Sequence, residues 1–458
     1  MKKEGRQTDL TQGSIFKGLF YFSLPLLAAS LVQQLYNTVD LICVGNILGK
    51  NASAAVGSSS LLTICIIGFF SGLGVGVSVI VSHYFGANQE KGIHDTIHTA
   101  IGLTLILGVV IVVAGILACP FFLRLMQTPA SIMDLAETYL KIYLVGVLGI
   151  VVYNVASGIM RAMGDSRTPM IYQIIGGVIN VFGDLFFLLV LHMGVSGAAL
   201  ATVLSQGIAA LLSLYHLTRL PDAYRLKASH IHIRKDLSKR IFVIAIPEAI
   251  RSMLITVANL LVQTQINTLG VDSMAAYASY TKAEGFLYLP QWAVGQANTM
   301  LVGQNLGAGK MKRVEKSTRI ALLMGMGITA IISTLILIFP MQFFRMFSNQ
   351  REIIVLSTKI AQKTFALYFL YAIVEILSGT IRGAGQSMPP MVISLINMCG
   401  IRVVVLKILA QYFHTVNQLA IVFPITWITT SLSVVLYYFF GHWREKSTQL
   451  DRHLMEQE

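Results

Sequence analysis

Two stretches of this chain, GIMRAMGDSRTPM at residues 158–170 and GTIRGAGQSMPPM at residues 379–391, share the pattern Gly-x-x-Arg-x-x-Gly-x-Ser-x-x-Pro. They lie 221 residues apart. The same offset, to within one residue, relates Pro25 to Pro247, and Gly86-Ala87 to Gly307-Ala308. One offset sustained over so much of each half is not a coincidence, so the sequence predicts two copies of one structural unit.

Long apolar stretches surround these motifs. A helix needs about 20 mostly apolar residues to cross the hydrocarbon core of a bilayer. The stretches lack the alternation of membrane β-strands, so we predict helices. Twelve spans are predicted, at residues 15–44, 53–82, 94–118, 133–157, 168–192, 195–217, 241–268, 274–303, 317–341, 353–378, 389–413 and 417–441.

The composition also indicates a membrane protein. Of the 458 residues, 55% are hydrophobic and 12% are charged, whereas soluble domains carry about 25% charged residues. There is too little polar surface here to cover two or three soluble domains. Four isolated cysteines, without zinc spacing, exclude a disulfide scaffold and are expected to be small buried residues: Cys43, Cys65, Cys119 and Cys399.

The net charge of +13 is interpreted as a signal of membrane orientation, and nucleic-acid binding is not expected. Twelve spans place both termini on one side. Most basic residues outside the spans fall on that side, many of them in 218–240, whereas the opposite side carries Lys50, Arg124, Arg345 and Arg351. Because lysine and arginine accumulate in cytoplasmic loops, we expect a multi-pass protein of the cytoplasmic (plasma) membrane with both termini cytoplasmic.

Each repeat contains six spans, an even number, so both repeats insert in the same direction. The expected fold is an all-α integral membrane protein in which two parallel six-helix lobes enclose a central cavity. Residues 1–217 form the N-terminal lobe and residues 241–458 the C-terminal lobe with a short cytoplasmic tail. Residues 218–240 form a basic cytoplasmic connector.

Motifs for nucleotide or hydrolytic chemistry are missing from the sequence. Gly-Ala-Gly-Lys at residues 307–310 lacks the upstream glycine and the following Ser or Thr of a Walker A loop. His230-x-His232 in the connector is read as part of a solvated loop, with metal binding as the minor alternative. The repeated glycine and arginine motif is interpreted as a turn in a cytoplasmic loop whose arginine marks the cytoplasmic side. The alternative is that it forms a gating contact at the cytoplasmic mouth of the cavity. We therefore expect an ion-driven carrier, not an enzyme, without a cofactor.

Ionisable residues within spans are costly and indicate function. Asp40 lies in span one and Asp184 in span five, while their repeat equivalents are Val262 and Val405. An element needed by both lobes for structure alone would not show this asymmetry. Further polar residues share their helical faces or lie on neighbouring spans: Gln33, Tyr36, Asn37, Tyr139, Tyr143, Asn154, Asn180, Thr202 and Gln206.

Two carboxylates that face one cavity suit cation chemistry. With a hydroxyl and an amide carbonyl they could offer oxygen ligands to a sodium ion, or mutual repulsion and burial could favour binding of a proton. The structural alternative is an aspartate that only hydrogen-bonds a kinked helix. In the C-terminal half, Asn259 and Gln263 are expected to line the cavity, whereas no role is assigned to Glu248, Lys282, Glu284 and Glu375.

The arrangement resembles the multidrug and toxic compound extrusion (MATE) family. The resemblance rests on Pro25, on Tyr-Asn-Thr-Val-Asp at residues 36–40, on the Gly-Ala pairs, and on Arg-Ala-Met-Gly-Asp at residues 161–165 with its repeat. It covers roughly residues 14–441. Asp40, Asn180, Asp184 and Thr202 look like the N-lobe cation site of the family's DinF-like prokaryotic branch, and the polar residues near them look like its cavity lining.

The resemblance implies a monomeric antiporter that exports organic cations or other amphipathic compounds in exchange for protons or sodium ions. The alternative within transport is a flippase for lipid-linked oligosaccharides of the same superfamily, which would need a cationic cavity. An intramembrane enzyme would need a catalytic set that the sequence lacks. A channel would show no counter-flow of substrate against an ion.

Overall fold

A computed structural model describes residues 9–447, apart from the side chains of residues 50, 60–62, 64 and 65. Every regular element in that range is helical. The first half contains α1 (Ile15–Cys43), α2 (Lys50–Gly86), α3 (Glu90–Leu125), α4 (Met133–Ala162), α5 (Arg167–Leu185) and α6 (Val195–Thr218). Single π-helical turns follow α1 and α5, at Val44–Leu48 and Phe186–Val190.

The second half is broken into more pieces. Its helices are α7 (Lys235–Asn267), α8 (Val271–Gly307), α9 (Met311–Ile338), α10 (Pro340–Phe344), α11 (Arg351–Thr364), α12 (Phe369–Gly383), α13 (Met388–Ser394), α14 (Arg402–Tyr412), α15 (Val416–Leu419) and α16 (Val422–Phe440). A π-helical stretch, Leu395–Ile401, joins α13 to α14. Short 3-10 turns lie at Ala130–Ile132, Ala228–His230 and Phe365–Leu367.

Within the described residues, ten helices are long and apolar enough to cross a membrane, and α11 with α12 forms an eleventh span bent by 49°. The remaining predicted span, 274–303, lies in α8. This helix has 37 residues, enough to cross, but charged and amide side chains lower its hydropathy. The predicted basic residues before residue 9 and after residue 447, and the side chains of Lys50 and Cys65, lie outside the described part.

The described helices group into two compact units. Within the described residues, the N-terminal unit contains residues 25–249, and the C-terminal unit contains residues 9–24 and 250–447. Pro25 and Pro247 lie inside α1 and α7, close to these boundaries. A proline inside a helix removes a backbone hydrogen bond, so each of these helices passes from one unit to the other close to a weakened point. The division of the lobes at 218–240 stays a prediction.

Both units use the same close helix contact. A Cβ atom on Gly158 of α4 would lie 2.8 Å from the backbone oxygen of Gly74 on α2. A Cβ atom on Gly379 of α12 would lie 3.0 Å from the backbone oxygen of Gly295 on α8. Gly158 and Gly379 are equivalent in the repeat, and so are Gly74 and Gly295. The glycines are therefore required because the helix backbones touch, as is common between membrane helices.

The repeated motif also forms the same turn in both units. Gly164 (φ +89°) and Gly385 (φ +81°) have left-handed backbones just after α4 and α12. Each turn is closed by a backbone hydrogen bond from the following residue, from Asp165 to Met160 and from Gln386 to Ile381. Turn chemistry thus accounts for the second glycine of the motif, while helix contact accounts for the first. Arg382, however, is not a loop residue, because it is fully buried within α12.

We expect Gly158→Ala and Gly379→Ala to destabilise the protein. Each new Cβ would meet backbone atoms that cannot move alone, and overpacking of this kind costs about 1–3 kcal/mol. The measurement is thermal unfolding in detergent. Gly207→Ala and Gly327→Ala are the matched controls, since a Cβ there meets nothing within 4 Å. Equal melting temperatures in all four variants would contradict the close contact.

Candidate functional site

A pair of carboxyl groups lies inside the N-terminal unit. Asp40 is near the end of α1 and half-buried, and Asp184 is near the end of α5 and fully buried. The two carboxyl groups are close enough to interact directly. Oδ1 of Asp40 and both oxygens of Asp184 are buried and accept no hydrogen bond from any residue that the structure describes.

This arrangement is unfavourable for two ionised carboxylates. Burial removes hydration water, and without hydrogen-bond donors nothing in the described structure compensates for it. Two like charges at this range also repel each other. Binding of a proton or a cation between the two side chains would relieve both costs. The pair is therefore built to bind positive charge, and it is a poor structural cross-link.

Asn180 lies one helical turn before Asp184 on α5, and Thr202 lies on the neighbouring helix α6. The side-chain amide of Asn180 donates a hydrogen bond to Oγ1 of Thr202 over 3.3 Å, and that hydroxyl lies 3.3 Å from the carbonyl oxygen of Ala198. The Oδ1 atom of Asn180 is buried and accepts no hydrogen bond in the described structure. It is one more oxygen atom that a cation could use.

Tyr36 joins α1 to α5 and α6. The amide nitrogen of Gln206 donates to the Tyr36 hydroxyl over 3.1 Å, and the side chains of Gln33 and Gln173 also interact with this hydroxyl. Gln173 is buried and is a residue that the sequence analysis missed. The signal was present, because residues 173, 180 and 184 fall on one face of α5.

Two tyrosines of α4 complete this cluster. Tyr139 and Tyr143 are buried, with stacked rings whose centroids lie 6.0 Å apart. Both lie within electrostatic range of Asp40. Asn37 is exposed, and the amide of Asn154 donates to the carbonyl oxygen of Ile150 in its own helix over 2.9 Å. Within the described residues, neither asparagine contacts the carboxyl pair.

Small residues let these helices approach. A Cβ atom on Gly177 of α5 would lie 3.0 Å from Val32 and 3.2 Å from the ring of Tyr36, both on α1. A Cβ atom on Gly183 would lie 3.1 Å from that of Ala201 on α6. The local sequence of α5 therefore places its carboxylate and amide close to the two neighbouring helices.

The C-terminal unit is apolar at the equivalent positions. Val262, which corresponds to Asp40, is fully buried in a hydrophobic cluster, and Val405, which corresponds to Asp184, packs against that cluster. Asn259 accepts a hydrogen bond of 2.7 Å from Arg402, and Gln263 donates one of 2.7 Å to Asn267. The sequence asymmetry between the repeats is thus also a structural asymmetry.

Other charges of the C-terminal unit have partners of their own. Glu375 is buried, with Arg251 at 3.8 Å and Arg382 at 3.6 Å. Arg251 is only three residues from Glu248 in the sequence, but it also lies close to Glu375, which is far from it in the sequence. Glu284 accepts a hydrogen bond of 3.1 Å from the Tyr368 hydroxyl. Each of these two carboxylates faces an opposite charge or a hydroxyl donor, unlike Asp40 and Asp184, which face each other.

We expect Asp184→Asn to raise the thermal stability of the protein. The change removes one of two repelling charges, keeps the shape of the side chain and offers Asp40 an amide donor, and a hydrogen bond to a charged group contributes about 1.5–3 kcal/mol. The measurement is the melting temperature in detergent. Asp134→Asn, at the exposed start of α4, is the control. A melting temperature that falls below wild type would contradict this view of the pair.

Comparison with known proteins gives one consistent result. The MatE family model matches the chain twice, at residues 25–186 and 247–408. The probable multidrug resistance protein YpnP of Bacillus subtilis is 28% identical over 438 residues, covering 95% of this chain and 97% of that protein. The probable multidrug resistance protein NorM of Thermotoga maritima is 25% identical and covers 94% of both chains.

Solved structures show the same architecture. A multidrug resistance MATE family transporter of the MOP superfamily, solved in an outward-facing conformation, superimposes with a TM-score of 0.88 at 23% identity, covering 98% of this chain and 100% of that chain. A MOP superfamily transporter from Pyrococcus furiosus gives 0.88 at 24% identity over 98% and 100% of the two chains. The predicted fold class, an all-α membrane protein with twelve transmembrane helices in two lobes, is confirmed.

Proposed function

The chain belongs to the MatE family of prokaryotic multidrug and toxic compound extrusion transporters, and on that premise we propose that it is a secondary active antiporter. It exports organic cations or other amphipathic compounds in exchange for protons or sodium ions. Its coupling residues are Asp40, Asp184, Asn180 and Thr202. The cavity lining comprises Gln33, Tyr36, Asn37, Tyr139, Asn154, Gln206, Asn259 and Gln263, to which we add Gln173.

One observation carries the proposal: Asp40 and Asp184 face each other inside the N-terminal unit without hydrogen-bond donors from the described residues. A residue kept only for structure would have a partner, as Glu284 does. Two adjacent carboxylates without hydrogen-bond donors are stabilised when they bind a positive charge. The carboxylate, amide and hydroxyl oxygens together also fit the hard ligands that a sodium ion prefers.

The need of the carboxyl pair for a positive charge can couple binding of the ion to release of the substrate. When the coupling ion binds, it balances one of the two negative charges, and the repulsion between the carboxyl groups on α1 and α5 falls. The site then offers less attraction to a cationic substrate, so the ion and the substrate favour different states of the transporter. Antiport requires this opposition, because a ligand shifts a conformational equilibrium only through its different affinities for the two states.

The flippase alternative is not favoured. Its substrate carries a pyrophosphate, which would need cationic side chains, whereas the buried ionisable pair of the N-terminal unit, Asp40 and Asp184, is acidic. The relatives named above are described as multidrug resistance proteins. Members of the family are transporters and need no cofactor, so the coupling ion is a transported species and not a resident group of the protein.

Transport by purified protein in vesicles is the direct test. The vesicles are loaded with a cationic dye, and a proton gradient and a sodium gradient are imposed in separate experiments. We expect one of the two gradients to drive efflux of the dye. Asp40→Asn and Asp184→Asn should lower the gradient-driven rate at least tenfold, because a neutral amide cannot take up the coupling charge.

Asp134→Asn is the matched control for this experiment and should transport at the wild-type rate, since Asp134 lies at the exposed start of α4. Gradient-driven efflux at the wild-type rate by both Asp40→Asn and Asp184→Asn would overturn the assignment of the coupling site. Equal dye efflux with no gradient at all would overturn antiport.

We further propose that the protein works as a monomer in the plasma membrane, with both termini cytoplasmic. Asp222→Cys, in the connector, and Asn51→Cys, at the opposite end of the spans, report the orientation because both positions are exposed. In intact cells, a membrane-impermeant maleimide should label Asn51→Cys and not Asp222→Cys, with the unsubstituted chain as background. The reverse labelling would invert the proposed topology.

A further inference from the structure

Four histidines that the proposed transport does not use gather in the N-terminal unit, where the segment of residues 226–234 lies against the start of α3. His94 and His98 are four residues apart on one face of α3, and His230 and His232 lie on the segment. The ring centroids of His94 and His98 are 4.0 Å apart, and those of His94 and His230 are 5.5 Å apart. The fold thus adds two histidines to the His230-x-His232 pair.

The segment is fixed to α3 by bonds that do not involve His94 or His230. The backbone nitrogen of Lys227 donates to Nε2 of His98 over 3.0 Å. The hydroxyl of Thr99 lies 3.3 Å from the carbonyl oxygen of His232, and Arg234 forms a 2.8 Å ion pair with Asp95. The histidines are therefore held together by a docked segment and are not a chance encounter of surface side chains.

The nitrogen atoms are close enough for small side-chain movements to bring them onto one metal ion. His94, His98 and His230 each offer one ring nitrogen, and these three atoms all lie within 4.8 Å of one another. Nε2 of His94 and Nδ1 of His230 are 3.4 Å apart. In a tetrahedral site with metal–nitrogen bonds of about 2.0–2.1 Å, neighbouring nitrogen atoms are about 3.4 Å apart.

A carboxylate orients the first of these ligands. Oδ1 of Asp95 lies 3.2 Å from Nδ1 of His94. That nitrogen carries the proton it donates to the carboxylate, so the lone pair is on Nε2, which faces His230. Pairing of a ligating histidine with a carboxylate fixes the tautomer and strengthens the ligand, and it is a recurrent feature of metal sites.

We propose that His94, His98 and His230 bind one divalent transition-metal cation of the zinc type, and that this cation clamps residues 226–234 onto α3. Imidazole nitrogens suit zinc and its transition-metal neighbours, whereas magnesium and calcium prefer oxygen ligands. His98 is buried, His94 half-buried and His230 exposed, so the cation enters from the side of His230 and keeps a water molecule there. On binding, Nε2 of His98 exchanges the Lys227 amide for the cation.

Zinc titration of the full-length protein in detergent, after removal of any histidine tag, tests the proposal. We expect one zinc ion per chain, and a cobalt-substituted form with the visible absorption of a tetrahedral site. His94→Gln and His230→Gln should each weaken zinc binding at least tenfold. Asp95→Asn, which weakens both the orientation of His94 and the ion pair that docks Arg234, should weaken binding by about 10–100-fold while keeping the cobalt spectrum.

His414→Gln is the matched control, because His414 is exposed in the C-terminal unit, and it should bind zinc as the wild type does. Elution volume and helical content identify any variant that fails to fold. Zinc should also raise the melting temperature of the wild type and not that of the His94→Gln, His230→Gln double variant. Equal zinc affinity in the wild type and this double variant would overturn the proposed site.

Discussion

The hydrocarbon core of a bilayer offers no hydrogen-bond partner, and this one constraint explains most of the structure. Backbone groups there must be satisfied within each segment, so the described part of the chain crosses as helices. Side chains obey the same rule. Buried charges of the C-terminal unit, such as Glu375, have ionic partners, and long basic side chains fall mainly outside the spans. Asp40 and Asp184 depart from the rule, and this departure is the reason why we propose them as the coupling site.

The repeat shows which features of each unit are structural and which are specialised. Gly158 and Gly379 keep the same close backbone contact, and the turns that follow α4 and α12 keep the same left-handed glycine. Packing demands these residues in both copies. The carboxylates are different, because Val262 and Val405 replace them in the second copy without loss of packing. Two copies of one scaffold therefore allow one to carry the proposed cation site while the other keeps an apolar core.

The histidine cluster illustrates a different use of the connector. The sequence presents residues 218–240 as a polar, basic segment between repeats, and such segments are usually solvated. In the structure, Arg234 and the backbone near Lys227 dock this segment onto α3. Docking converts isolated histidines into a group with shared geometry. The connector thus belongs to the architecture of the N-terminal unit, where the proposed cation would hold it in place.

Local properties of the chain were enough to predict three features. The length of the apolar stretches predicts the helical membrane fold, and the fixed offset between motifs predicts the twofold repeat. The high cost of Asp40 and Asp184 in lipid identifies the acidic half, and none of these inferences needs knowledge of packing. The neighbours of each residue could not be predicted in this way, since a helical face gives a direction but not the facing helix. The contact between Tyr36 and Gln206, separated by 170 residues, is one example. Such contacts depend on how helices pack, and packing is set by small residues such as Gly177, whose importance appears only once the facing helix is known.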